Sequence, residues 1–553
     1  MTTTSTSKST QHSPGTAPTV DLVLLGGTIV DGTGAPRYSA DVAIAGSVIV
    51  RIGDASDLTA RRTIDATGLV IAPGFIDMHA HSDLQILTAP DHFAKISQGV
   101  TTEVLGQDGL SYAPMDDAVL AQVRRQISGW NGNPADFDFA WRTVGEYLDR
   151  LDQGIATNAA YLVPQGTLRL LVVGPDDRPA TADEIVRMQQ ILAESLRAGA
   201  VGMSSGLTYT PGMYADTSEL AALCEVVAAG GGYYSPHTRS YGAGALTAYA
   251  EMLDLARSTG CPVHLTHATM NFAENAGRAA EFLALVDAAL ADGCDISLDT
   301  YPYLPGCTTL SALLPSWSSA GGPDALLARL DDPETRERIR VNVEETGSDG
   351  CHGVTVDWDT IQISGVGNPA LSEHVGDTVA QIASAEKRSG TEVFFDLLRE
   401  DQLATTILQH VGHEDNVQAI MQHRVHMGGS DGILVGDRPH PRAWGTFPRY
   451  LARYTRELGL LGLEDCVAHL TGRPAARLKL TERGLVREGY AADLVLFDPD
   501  RIADTATFTE PRQQAAGIDY VLVNGQLAID EAAPTGSRSG RALRLDKEGS
   551  AVS

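Results

Sequence analysis

The chain has 553 residues, 43% apolar and 20% charged, enough to bury a large globular core. Its formal net charge of −29, with no basic cluster, excludes a phosphate-backbone binder, and no run of about 18 apolar residues is present to span a membrane. Cys224, Cys261, Cys294, Cys307, Cys351 and Cys466 lie far apart with no CxxC pair, a usage that fits a reducing, cytoplasmic compartment.

In chain order, residues 1–19 are polar and lack the apolar stretch of a signal peptide, so they read as a flexible tail. DLVLLGGTIVDGTG (21–34) and DVAIAGSVIVRIGD (41–54) are Val- and Ile-rich with Gly-containing turns, and predict antiparallel strands. The same texture returns in ADLVLFDPD (492–500) and YVLVNGQLAID (520–530). A small sheet domain assembled from both ends is expected, two unrelated end segments being the alternative.

Between these ends, short apolar strands alternate with helical stretches, the pattern of βα units around a parallel sheet. Strand ends are expected in FIDMHAH (75–81), TTEVLGQDG (101–109), AAYLVPQG (159–166), VGMSSG (201–206), YYSPHTR (233–239), VHLTHAT (263–269), ISLDTYPY (296–303) and VHMGGSDG (425–432). Helices intervene, as in 182–199 and 279–293. Eight such ends predict an α/β fold, a (β/α)8 TIM-like barrel over 74–486. The interval from 305 to about 400 is too long for a crossover and predicts an inserted subdomain or lid.

The strand ends carry chemistry. In the extended stretch GFIDMHAHSD (74–83), His79 and His81 project to one side, so both imidazoles can grip one metal ion. Asp108 ends the second strand, His237 the fifth, His267 the sixth and Asp431 the eighth. All these ends face one mouth of a barrel, where four imidazoles and two carboxylates can hold one or two divalent cations.

PGFIDMHAHSD, VTTEVLGQDG, GLTYTPGMYADTSEL, SPHTR, LTHAT, GGSDG and HPRAWGTFPR, with the closing RGLVREGYAADLVLFDP, resemble the amidohydrolase superfamily. Within it they resemble the N-acyl-D-amino-acid deacylase (D-aminoacylase) branch, over about residues 21–546. The resemblance implies a metal-dependent barrel, a β-sandwich built from 20–73 plus 487–547, and a small insertion. It makes His79 and His81 ligands of one site with Asp431 beside them, and His237 and His267 ligands of a second. Zinc is the favoured metal, with manganese, iron or cobalt compatible with the same donors.

The chain departs from that branch twice. Asp108, in GQDG, stands where the branch usually has cysteine; a carboxylate is a chemically sensible bridge between two cations, and a plain turn is its ordinary alternative. A carbamylated lysine is excluded, since none of the five lysines lies at a predicted strand end. The branch also has His-x-Lys after the sixth strand, where this chain has His267, Ala268 and Thr269. Thr269 can donate one hydrogen bond to the substrate but supplies no charge, so Arg239, Tyr209 and Tyr303 are expected substrate contacts beside it, with Arg169 and Arg442 as further options. His264 is expected to pack or hydrogen-bond, His440 is undecided, and His92, His352 and His423 require no functional account.

The expected function is amide hydrolysis: deacylation of an N-acyl-D-amino acid or related amine by attack of a metal-bound hydroxide. Asp431 takes the proton and returns it to the leaving nitrogen. Cyclic-amide hydrolysis on the same fold, and a non-catalytic assembly protein, are the alternatives. The partner is a small N-acylated molecule, not nucleic acid or membrane, and a homo-oligomer is allowed.

Overall fold

The computed structural model describes residues 19–553; the expected tail over 1–19 lies, apart from Thr19, outside the described residues. The chain opens with β1 (Thr19–Ile29), β2 (Tyr38–Ala45), β3 (Val48–Gly53), β4 (Thr59–Asp65) and β5 (Val70–Pro73). Seven strands follow: β6 (Phe75–Asp77), β7 (Val100–Leu105), β8 (Asn158–Pro164), β9 (Gly202–Gly206), β10 (Tyr233–His237), β11 (Val263–Leu265) and β12 (Ile296–Thr300). Next come β13 (Gly306–Thr309), β14 (Ile361–Gly365), β15 (Thr406–Gln409) and β16 (His426–Gly428). The last are β17 (Leu494–Phe497), β18 (Ile518–Val523), β19 (Gln526–Asp530) and β20 (Ala533–Pro534).

β6 through β12 pair in parallel in chain order, and β16 pairs with β12. The ring closes where Met78 N donates to Gly428 O (3.1 Å) and His81 N to Gly432 O (3.3 Å). All eight strands are buried along their whole length, as in a barrel whose outer face is covered by helices. The helix Ala182–Arg197 shows the covering layer: a Thr181–Glu184 capping box starts it, and it buries Met188, Leu192 and Leu196.

Both ends of the chain meet in one sheet, because β17 pairs antiparallel with β5. Leu24, Ile44, Ile71, Leu494 and Leu522 form a shared apolar cluster on it. The sheet built from both ends of the chain is therefore continuous in its hydrogen bonding. Residues expected to belong to it near 547 behave differently. Leu543 N donates to Ala159 O and Leu545 N to Gly199 O, and Leu543, Leu545 and Val552 pack with Val104, Leu162 and Met427 of the barrel. Burial of their apolar side chains against the barrel draws this segment away from the sheet.

In the segment expected as an insertion, β13, β14 and β15 form a separate sheet, with β15 central and paired to both of the others. It has its own core, including Leu310, Leu330, Phe394, Leu398 and Ile407.

Candidate functional site

β6 stops at Asp77, yet the chain stays extended, since Ala80 forms a parallel bridge with Gly432. His79 and His81 therefore face the same way, with Nε2 atoms 3.3 Å apart. Asp108, His267 and Asp431 lie just beyond β7, β11 and β16, at φ of +54°, +30° and +48°. Three non-glycine residues in left-handed conformations at one point mark a site where local strain is tolerated to aim side chains.

All six expected ligands are buried and converge. Asp108 is central. Its Oδ1 lies 3.6 Å from His79 Nε2 and 3.4 Å from His267 Nε2, and its Oδ2 lies 3.5 Å from His81 Nε2 and 3.4 Å from His237 Nδ1. Each oxygen faces one imidazole from each pair. Asp431 Oδ1 is 3.2 Å from His81 Nε2, while its Oδ2 is held 2.8 Å from Arg442 Nη2. His79 Nδ1 and Asp108 Oδ1 are buried with no hydrogen-bond partner among the described residues. The unmet Asp108 Oδ1 lies among imidazole nitrogens, which fits a pair of adjacent divalent cations that would satisfy it, while His79 Nδ1 points away from the cluster towards Asp299.

Burial and the two carboxylates move the imidazoles in opposite directions. Burial pushes His79 down to about 4, against the pull of Asp108 and Asp431. Burial also opposes charge on His81, but hydrogen bonds to Asp108 and Asp431 outweigh it and raise this imidazole to about 10. Burial penalises the Asp431 carboxylate too, yet Arg442 holds it below the usual range.

Asp299, at the end of β12, was not singled out in the sequence. Its Oδ1 accepts from His267 N (2.8 Å), and its Oδ2 accepts from His264 Nε2 (2.9 Å) and faces His79 Nδ1 at 4.0 Å. It obeys the same strand-end rule that exposed the others. His264 hydrogen-bonds, as expected, also to Ser297 (2.8 Å).

The site opens into a cavity of about 660 Å³, its mouth included. Tyr209 and Thr269 line it, as do Trp130, Asn271, His352 and Gln409. Arg239 does not: its guanidinium is held by Glu251 (2.8 Å) and Ala215 O (2.7 Å). Tyr303 does not either, being buried against His440 and Arg449. Arg169 is consumed by a buried ion pair with Glu219. His440 is structural, with Nε2 bonded to Pro305 O and Nδ1 accepting from Arg442 N at the start of the helix Arg442–Arg449. Lys95 pairs with Asp77 and Glu103, so no lysine joins the ligand cluster among the described residues.

A closed parallel barrel with four imidazoles and two carboxylates at the C-terminal ends of its strands defines a metal-bearing barrel enzyme. The Amidohydrolase family model matches residues 62–529, and the chain belongs to that family. It is 37% identical to a D-aminoacylase of Alcaligenes xylosoxydans xylosoxydans, over 95% of this chain and 97% of the relative. It is 36% identical to an N-acyl-D-glutamate deacylase of the same organism, over 95% and 97%. A crystal structure of N-acyl-D-glutamate deacylase from Bordetella bronchiseptica, complexed with zinc and a phosphonate mimic of the tetrahedral intermediate, superposes with a TM-score of 0.80. That match has 35% identity and covers 95% of this chain and all of the other.

Proposed function

We propose that this protein is a metal-dependent deacylase of N-acylated D-amino acids. The observation that carries the reading is Asp108, whose two oxygens each face one imidazole from both histidine pairs. His79, His81 and Asp431 would hold one ion, His237 and His267 the other, and Asp108 would bridge them, zinc being the favoured metal. Bound there, the metal supplies Lewis acidity towards an amide carbonyl and lowers the pKa of water.

The chain's own groups handle the proton. Asp431 is anchored through Oδ2 by Arg442, which leaves Oδ1 on the side of the ligand cluster. Arg442 keeps the carboxylate ionised, and Oδ1 is the atom that would accept a proton from the attacking water. Asp431 then delivers that proton to the leaving nitrogen, which departs as an amine. Thr269 brings no positive charge; Arg442, whose Nε and Nη1 have no partner among the described residues, is the group we assign to the substrate carboxylate. The six unpaired cysteines support a cytoplasmic setting, and no helix of the described residues is long and apolar enough to cross a membrane.

The test is metal analysis together with turnover of matched N-acetyl-D- and N-acetyl-L-amino acids. Preference for the D series, with metal bound, is expected. Asp431→Asn should remain folded and lose about 10²–10⁴-fold in kcat. A metal-loaded protein that leaves the D series intact overturns the reading.

A further inference from the structure

The stretch GLTYTPG (206–212) follows β9 and carries Thr208 between Leu207 and Tyr209. β9 and β10 pair in parallel with Gly206 opposite His237, and Leu207 N donates to His237 O (3.0 Å). Gly206 lets this turn lie against the Asp108 loop, since a Cβ there would collide with Asp108 O. The Thr208 side chain is thereby set beside the His237 ring, with Oγ1 2.7 Å from Nε2.

His237 differs from the other three imidazoles of the centre. His79, His81 and His267 turn Nε2 towards Asp108. His237 turns Nδ1, which lies 3.4 Å from Asp108 Oδ2 and 3.1 Å from His267 Nε2. Its Nε2 therefore faces away from the ligand cluster, and Thr208 Oγ1 is the one partner of that atom among the described residues. Both residues are buried, and the rings of Tyr209, Tyr241 and His267 enclose the imidazole, with centroids 4.8, 5.0 and 4.7 Å away.

An imidazole that ligates a metal through Nδ1 keeps its proton on Nε2. In this enclosed position the N–H needs an acceptor, and leaving it unmet costs the free energy of its lost hydration. Without a metal, the proton can sit on Nδ1 instead, beside the Asp108 carboxylate, and that cost does not arise. Metal binding therefore creates the need for the hydroxyl. Valine has the same branched shape, so packing does not account for threonine.

We propose that Thr208 is a positioning residue for metal binding: its hydroxyl accepts from His237 Nε2–H and so presents Nδ1 to the ion held with His267. The assignment rests on the two-ion deacylase reading above.

The experiment titrates the metal-free full-length protein with zinc against a chelator of known affinity. Wild type, Thr208→Val, Thr208→Ser and Thr208→Ala are compared, with the Tm of each metal-free form, and His237→Ala identifies the binding step that belongs to this half. Thr208→Val should weaken that step by about 10–100-fold, leave the other within about three-fold, and keep the metal-free Tm. Thr208→Ser retains the hydroxyl and should stay within about three-fold of wild type at both steps. Equal affinities in wild type and Thr208→Val, an equal weakening by serine and valine, or a metal-loaded structure with the ion on His237 Nε2 would each overturn the proposal. If Thr208→Val does not fold, Thr208→Ala takes its place and the serine-to-alanine difference decides. If His237→Ala binds zinc as wild type does, the two-ion reading itself fails, whatever the Thr208 variants do.

Discussion

Asp108 divides four imidazoles between its two oxygens, so substitution there probes both halves of the centre at once. Asp108→Ala should lower the bound metal by at least one equivalent, read by elemental analysis after dialysis. Asp108→Cys should restore occupancy and shift preference towards zinc, since thiolate is the softer donor. Normal metal binding in Asp108→Ala would reduce Asp108 to a turn residue. One layer out, Asp299 faces His79 Nδ1 and holds the His267 backbone. Asp299→Asn preserves shape but weakens the acceptor, and should cost about 10–100-fold in metal affinity. Competition against a chelator of known affinity measures it. The histidine pairs were legible because His79–His81 and the strand-end residues follow from period-two geometry. Asp299 obeyed the same geometry and was passed over. His352 was invisible: only docking onto Ser240 and Ala243 brings a residue so distant in sequence to the cavity.

At the level of elements, the barrel seam between β6 and β16 is held by a buried polar network as well as by backbone. Lys95 Nζ lies 2.6 Å from Asp77 Oδ2, 2.9 Å from Ser430 Oγ and 3.6 Å from Glu103 Oε2. Asp77 Oδ1 in turn accepts from His79 N (3.2 Å) and Ser430 N (2.8 Å). The network thus ties the loop carrying His79 to the loop carrying Asp431. Lys95→Met leaves the buried Asp77 carboxylate without a cation and Glu103 with His92 alone, and should destabilise the protein by about 3–5 kcal/mol in chemical denaturation. A loss below about 1 kcal/mol would show that the seam does not depend on the ion pairs. The absence of lysine from the strand ends was readable in the sequence. That Lys95 braces the site from behind was not, because its partners come from three separate segments.

For the whole molecule, acid sensitivity has a traceable source in Glu103. Burial raises its carboxyl, but His92 and Lys95 outweigh burial and bring it from 4.5 down to about 2. A depressed folded-state value stabilises the protein fully above about pH 4.5, and that contribution is lost as pH falls towards about 2. Glu103→Gln should therefore lower Tm at neutral pH and flatten its decline between about pH 5 and 3 relative to wild type. An unchanged slope in that window would place the acid sensitivity elsewhere. At this scale the pairing of β15 with β13 and β14 and the docking of the last residues on the barrel depend on long-range pairing and burial, for which local pattern carries no signal.

The sequence by itself determined the alternation of strands and helices, the two-ended sheet, and the six ligand-type side chains, because each is written in short-range periodicity or residue chemistry. Tertiary structure alone decided that Arg239 and Tyr303 turn away from the cavity, that Arg442 grips Asp431, and that Asp299 and His352 join the site. Those outcomes depend on competition among partners far apart in the chain. Arg239 meets Glu251 before it can meet a substrate, and His352 reaches the cavity only because the insertion folds over the barrel mouth.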